Sequence, residues 1–290
     1  MSTQKLLYKQ IKSLDPQRVS KKLKVLLKED IPSGDATTEN VVLVDTEEAF
    51  AIKSREPMVF CGNPIIENIF SPDVKIKKMV KDGQRLLSGE TIAILSGSNR
   101  EILTKERLLL NMVQRMSGVS SMTSKFVQKL NNDQIKVLDT RKTTPGLRMF
   151  EKYAVFYGGG SNHRLNLSCG IMVKDNHINK ITDEVVRKLT NVSKKLPIQF
   201  EVDSPKQINP QNTSLVDAFL LDNMTPNKIK QCIEKINLLK NKDKNIFIEV
   251  SGGVTLKNIS KFNLKGVNGI SVGALTHQST NVDIGLDLHS

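Results

Sequence analysis

Between Ile135 and Gly273 six apolar runs recur, each ending in a polar or glycine-rich turn: "IKVLD", "GIMVKD", "IQFEVD", "DAFLLDN", "NIFIEVSGG" and "VNGISVG". Helix candidates stand between them. Thr182 can cap one whose first turn holds Asp183 and Glu184, and Thr225 can cap another with Pro226 at its first position. "TLKNISKF" reads as a further short helix. Repeated strand-helix units with both faces covered imply a parallel sheet. Two folds use such a sheet, a (β/α) barrel and a doubly wound open sheet. The dinucleotide fingerprint GxGxxG of the open sheet is absent, since "YGGGSNHR" does not match it, and this favours the barrel.

The first hundred residues read differently. "PQRVSKKLKVLLKEDI" is amphipathic, "EAFAIKSREPMVFCGN" suggests strand, turn, strand, and "VKIKKMVKDGQRLLSGETIAILSG" is a string of short strands broken at Asp82-Gly83 and Ser88-Gly89. A long helix should follow over "NREILTKERLLLNMVQRMSGVSSMTSKFVQKL", with Leu108, Met112 and Met116 on one face. Gly118 marks either a break in it or a close packing point. The expected division is an N-terminal domain over 1–115, onto which 276–290 can pack back, and a catalytic domain over 116–275.

In a barrel the chemistry sits at the strand ends. The ends here supply Asp139, Thr140, Arg141, Lys142 and Thr143; Lys174, Asp175, Asn176 and His177; Glu201 and Asp203; Asp222 and Asn223; Ser251, Gly252 and Gly253; Gly273 and then His277. Arg141 and Lys142 can converge once their strand has ended, and two cations ~4 Å apart repel by about 4 kcal/mol at an effective dielectric of about 20. An anion would relieve that repulsion, and an arginine fork beside a lysine point charge suits carboxylate or phosphate. On this stretch alone an anion grip and a solvated turn weigh equally. His163 and Arg164 follow three glycines that allow close approach to a ligand. Glu201 and Asp222 suit a hard cation such as Mg²⁺, although pairing with nearby lysines explains them as well. "SGG" and "VGA" form the late phosphate-site pattern of barrels. The sum is a polyanion pocket without an obvious nucleophile, so catalysis there would rest on positioning and electrostatics.

Charge and cysteine usage narrow the remaining classes. The net charge of +13 comes from lysines scattered over segments such as "KKLKVLLK" and "KNKDKN", and aromatic residues make up only 4% with no Trp. That gives a lysine-rich surface rather than a base-stacking platform, so no nucleic-acid partner is expected. No apolar run approaches the ~20 residues of a membrane span. Cys61, Cys169 and Cys232 form no CxxC pair, which fits a reducing cytoplasm.

"DTRKTTPGLRMFEKYAVFYGGGSNHRLNL", "IMVKDNHI", "EVD", "LLDNM", "EVSGGV" and "ISVGALTH", with "LKEDIPSGDATT" and "KERLLLNMVQRMSGV" before them, closely resemble the quinolinate phosphoribosyltransferase family, the carboxylating nicotinate-nucleotide pyrophosphorylases. The resemblance implies a sandwich-like N-terminal α/β domain, an incompletely closed α/β barrel, and a homodimer whose sites lie between one subunit's barrel and the other's N-terminal domain. It implies joining quinolinate to 5-phosphoribosyl 1-pyrophosphate with loss of pyrophosphate and CO₂, giving nicotinate mononucleotide for NAD synthesis, with Mg²⁺. Carried onto matching positions, Arg107 from the second subunit, Arg141, His163 and Arg164 would hold quinolinate's carboxylates. Lys142, Lys174, Glu201 and Asp222 would carry the chemistry, the two acids also meeting ribose and Mg²⁺-diphosphate. Thr140, Ser251, Gly252, Gly253, Gly273 and His277 would complete substrate binding, with Ser251, Gly252, Gly273 and His277 toward the 5′-phosphate. Phe156-Tyr157 and Ser168-Cys169 depart from the family's usual Arg-Cys and more acidic pair. A related transferase with a different acceptor is the nearest alternative, and the intact "KDNHI" argues against it.

Overall fold

The computed structural model describes residues 6–174, 177 and 182–289. Its first helix, α1 (Pro16–Asp30), starts where Asp15 accepts the Gln17 N–H and Pro16 fills a position needing no donor. Val19 and Leu23 are buried while Lys21 between them is exposed. A short α2 (Ala36–Val41), capped by Asp35, leads to β1 (Glu47–Ser54), β2 (Met58–Val59), α3 (Asn63–Ile69), β3 (Lys75–Met79), β4 (Arg85–Leu86) and β5 (Thr91–Ser98). β1 and β2 do not pair with each other: β1 lies between β5 and the C-terminal strand of the antiparallel sheet, and β2 pairs with β4. Pro57 lacks the N–H a hairpin ladder needs there, and Arg55 N donates instead to Asp283 O at 2.9 Å. The long helix forms as α4 (Asn99–Leu130) without interruption. Gly118 is a close packing point, since a Cβ there would lie 2.0 Å from Thr280 O.

All six apolar runs become strands of one sheet. These are β6 (Lys136–Leu138), β7 (Ile171–Val173), β8 (Ile198–Val202), β9 (Ala218–Asp222), β10 (Phe247–Ser251) and β11 (Gly269–Ser271), ordered β6-β11-β10-β9-β8-β7 with every pair parallel. The intervening helices are α5 (Arg148–Tyr157), α6 (Asp183–Val192), α7 (Pro210–Leu215), α8 (Pro226–Leu239) and α9 (Ala274–His277), and β12 (Ile284–Leu288) pairs antiparallel to β1. α6 and α8 begin on Thr182 and Thr225, whose side chains accept Val185 and Lys228 N–H groups. "TLKNISKF" forms only a 3₁₀ turn at Ile259–Phe262.

The chain divides into two compact units, Met1–Gln10 with Lys125–Arg148 and Gly160–Gln278, and Ile11–Ser124 with Met149–Gly159 and Ser279–Ser290. The first holds the parallel sheet, the second the antiparallel one. Ser161 bridges Leu138 in parallel, extending the sheet past β6. Among the described residues no strand pairing joins that segment to the free edge of β7, so the barrel is incompletely closed. Arg164 reaches across this break, its Nη1 donating to Gly170 O at 3.0 Å.

Candidate active site

Strand periodicity decides which side chains enter the barrel. Residues two apart share a face, so Gln199 and Glu201, Leu220 and Asp222, and Glu249 and Ser251 point together. A cavity of about 580 Å³ opens at the carboxyl ends of these strands. It is lined by Thr140, Arg141, Lys142, His163, Arg164, Lys174, Glu201, Asp222, Ser251, Gly252, Gly253, Gly273 and His277, every site residue expected within the barrel. Arg107 is exposed on α4, in the other unit. Asp175 and Asn176 lie outside the described residues.

The cationic turn is built by several anchors. Lys142 N donates to Thr140 Oγ1 at 3.0 Å, and Thr276 Oγ1 on α9 donates to Lys142 O at 2.6 Å. Arg148 holds the other side, with Nε on Thr143 Oγ1 at 2.9 Å. Arg141 and Lys142 are thereby held at an exposed rim. Arg164 is 6% exposed; burial lowers its guanidinium pKa, Tyr8 opposes that, and the charge of Arg141 adds to it. Lys174 Nζ lies 3.1 and 3.0 Å from the two oxygens of Glu201, so its pairing with an acid is real and lies inside the cavity. His177 Nδ1 accepts the Lys174 N–H at 3.1 Å.

Beneath these groups lies a buried polar layer that the strand-end reading did not include. Glu249 and Gln199 are fully buried. Gln199 Nε2 donates to Glu249 Oε2 at 2.7 Å, and Ser271 Oγ donates to Glu249 Oε1. Gln199 Oε1 accepts the Tyr8 hydroxyl at 3.2 Å and lies 3.1 Å from His163 Nε2, which is 3.4 Å from Glu249 Oε2. Burial works against ionisation of Glu249, but its contacts with His163, Ser271 and Gln199 outweigh it, holding its carboxyl below the usual range. The signal for this layer was one polar residue inside each of "IQFEV" and "FIEVS", two places before the strand-end residue.

The loop of His163 is pinned from below: fully buried Asp139 accepts His163 N at 2.8 Å and Asn162 Nδ2 at 2.7 Å. Gln10 mimics a strand partner for Asn162, accepting its N–H at 2.6 Å and donating to its carbonyl at 3.1 Å.

Comparison with known proteins settles the family. The quinolinate phosphoribosyl transferase C-terminal domain model matches residues 119–287, and the N-terminal domain model matches 35–117. The chain belongs to the quinolinate phosphoribosyltransferase family. A probable nicotinate-nucleotide pyrophosphorylase [carboxylating] of Bacillus subtilis (strain 168) is 39% identical over 266 residues, 90% of each chain. NadC from Streptococcus pyogenes superposes with a TM-score of 0.85 at 35% identity, over 96% of this chain and 100% of that one. The nicotinate-nucleotide pyrophosphorylase from Francisella tularensis gives a TM-score of 0.87 at 30% identity, over 97% and 99%.

Within the family pattern, the departure at Phe156-Tyr157 has a local use. Tyr157 packs at 4.6 Å on Tyr153 and edge-on at 5.5 Å to Phe156, and its hydroxyl donates to Lys12 O at 3.0 Å. Lys12 Nζ stands 5.8 Å from the Phe156 ring centre. Ser168 and Cys169 both donate to Asn166 Oδ1, closing their own turn.

The "SGG" turn depends on glycine in two ways. Gly252 has φ +92°, and a Cβ there would sit 2.1 Å from Asn223 Oδ1 and 2.7 Å from Asn223 N; at Gly253, φ +60°, a Cβ meets nothing within 4 Å. Gly252→Ala is therefore expected to destabilise the protein by about 2–3 kcal/mol, and Gly253→Ala by about 1 kcal/mol or less. Urea denaturation of the two variants measures the difference.

Proposed function

We propose that this chain transfers the phosphoribosyl group of 5-phosphoribosyl 1-pyrophosphate to the ring nitrogen of quinolinate, with loss of pyrophosphate and CO₂, giving nicotinate mononucleotide for NAD synthesis. One observation carries the reading: four cations (Arg141, Lys142, Arg164, Lys174), two strand-end carboxylates (Glu201, Asp222) and two glycine turns line a single cavity. That composition suits a dicarboxylate beside a phosphorylated sugar diphosphate.

Arg141 and Arg164 hold quinolinate's carboxylates, with Arg107 supplied by the second subunit of a homodimer. Lys142 and Lys174 stand between the two substrates. The 251–253 and 272–274 turns, with His277, receive the 5′-phosphate, and Thr140 steadies the cationic turn. Departure of pyrophosphate develops positive charge at the anomeric carbon, which Glu201 and Asp222 stabilise. The ring nitrogen then bonds to that carbon and becomes cationic. The C–C bond to the adjacent carboxylate breaks, CO₂ leaves, and the electron pair stays on the ring carbon until a proton replaces it. Binding energy belongs on the carboxylate that remains, because gripping the departing one would slow its loss.

Among the described residues no cluster of three or more His, Cys, Asp or Glu side chains is arranged to hold a metal. Two carboxylates still suit Mg²⁺, which takes most of its ligands from water and substrate phosphates. Bound there, it would neutralise the diphosphate as it leaves. No described helix is long and apolar enough to cross a membrane; a cytoplasmic site of action is part of the proposal.

The test is incubation of purified protein with Mg²⁺, 5-phosphoribosyl 1-pyrophosphate and either quinolinate or nicotinate. Mononucleotide and CO₂ should appear with quinolinate; no product with it, or product from nicotinate alone, refutes the assignment. The shared site has its own check. Inactive Arg107→Ala and Glu201→Ala subunits, mixed into a verified heterodimer, are expected to regain part of the activity, and a heterodimer that stays inactive counts against cross-subunit assembly.

A further inference from the structure

The hydrogen-bond chain beneath the cavity has a direction that one fixed group imposes. Arg164 N–H is a backbone donor and cannot be reversed; it donates to His163 Nδ1 at 2.8 Å. Nδ1 must then be the unprotonated nitrogen, and Nε2 carries the hydrogen. That hydrogen needs an acceptor, and Gln199 Oε1 stands 3.1 Å away with Glu249 Oε2 at 3.4 Å. With its oxygen turned to His163 and Tyr8, Gln199 must present its NH₂ to Glu249. Glu249 also accepts from Ser271, so donors meet both of its oxygens, the arrangement that suits a carboxylate.

We propose that Glu249 is a positioning residue, which acts through Gln199 and His163, with Tyr8 as a brace, to fix the peptide of Arg164 and so aim its guanidinium into the cavity. His163 on this reading is a neutral strut whose two nitrogens serve the protein, rather than a donor to the substrate's carboxylate. The brace comes from the start of the chain: the Tyr8 ring lies 4.7 Å from the His163 ring, tilted by 36°, and a Cβ at Gly170 would strike Tyr8 at 2.7 Å. Burial, reinforced by Glu249, raises the Tyr8 phenol above its ordinary value, so its hydroxyl remains a donor. Arg164 is worth this framing because one guanidinium serves two tasks. It closes the barrel break at Gly170 O, and its edge lines the cavity.

The proposal rests on the quinolinate reading of the site, but its first test does not need activity. In full-length protein labelled with ¹⁵N-histidine, and with a His163→Gln variant for assignment, His163 should show an unprotonated Nδ1 and a protonated Nε2. The pattern should persist when quinolinate is added. An imidazolium at His163, free or with quinolinate, overturns the proposal, as does the opposite tautomer. The second test is kinetic. Glu249→Gln is expected to raise the KM for quinolinate roughly tenfold, the loss of one well-oriented charged hydrogen bond, with the KM for 5-phosphoribosyl 1-pyrophosphate unchanged. The exchanged pair Gln199→Glu with Glu249→Gln places the carboxylate where Tyr8 and His163 donate directly, and should restore most of the lost affinity. Equal loss for both substrates, or no rescue in a folded double variant, refutes the positioning role. If the wild type makes no mononucleotide, the function falls while the tautomer result still decides the strut.

Discussion

Glu201→Gln is expected to lower kcat by roughly 100- to 1,000-fold, the usual cost of removing one preorganised electrostatic partner of a transition state. The side chain points into the barrel from β8, is 20% exposed, and holds Lys174 Nζ at 3.0 and 3.1 Å. The amide keeps the volume and loses the charge. Positive charge developing at the anomeric carbon then lacks a partner, and Lys174 brings an uncompensated cation to the same place. Both changes raise the barrier, so they do not cancel. The fold should barely notice, because a partly exposed ion pair contributes only about 0–1 kcal/mol. Steady-state kcat at saturation of both substrates, beside a thermal melt, separates the two effects. An unchanged kcat would place the developing charge elsewhere.

The strand ends could be read from the sequence because each apolar run stops at residues a covered sheet cannot hold, and period-two geometry then fixes which side they face. "IKVLD" and its five companions became adjacent parallel strands for that reason, and their ends form one cavity. Tertiary partners were not legible in the same way. Nothing local shows that Ser161 extends the sheet beside Leu138, or that Gln10 replaces a strand partner for Asn162. Glu249 escaped because a buried acid inside "FIEVS" is locally indistinguishable from an exposed one on an edge strand. Only the donors of Gln199, His163 and Ser271, from three other segments, make its burial tolerable. "TLKNISKF" failed as a helix for a related reason. Its Asn258 side chain accepts Thr255 N–H and donates to Gly253 O, tying the segment to the glycine turn.

Arg164→Lys keeps the charge and is expected to lower kcat/KM for quinolinate by roughly 100- to 1,000-fold, a loss of about 3–4 kcal/mol of the kind seen when one member of a desolvated charge pair is truncated. The planar fork is the reason. At 6% exposure, Nη1 is committed to Gly170 O across the barrel break while Nη2 lies 3.7 Å from Met172 Sδ. An ammonium has no second, rigidly offset donor face, so it must choose between closing the break and meeting a carboxylate. If it closes the break, the dicarboxylate loses its buried partner and keeps only Arg141 at the exposed rim and the Arg107 supplied by the second subunit. If it turns to the substrate, Gly170 O is stranded. Either choice costs quinolinate and leaves 5-phosphoribosyl 1-pyrophosphate largely untouched, so the two KM values should separate. Thermal stabilisation by quinolinate, which for wild type grows by about 2.7 kcal/mol at a hundred times Kd, should vanish at the same concentration in the variant. A variant that retains both its quinolinate shift and its KM would show that charge alone, without the fork, is what this position supplies.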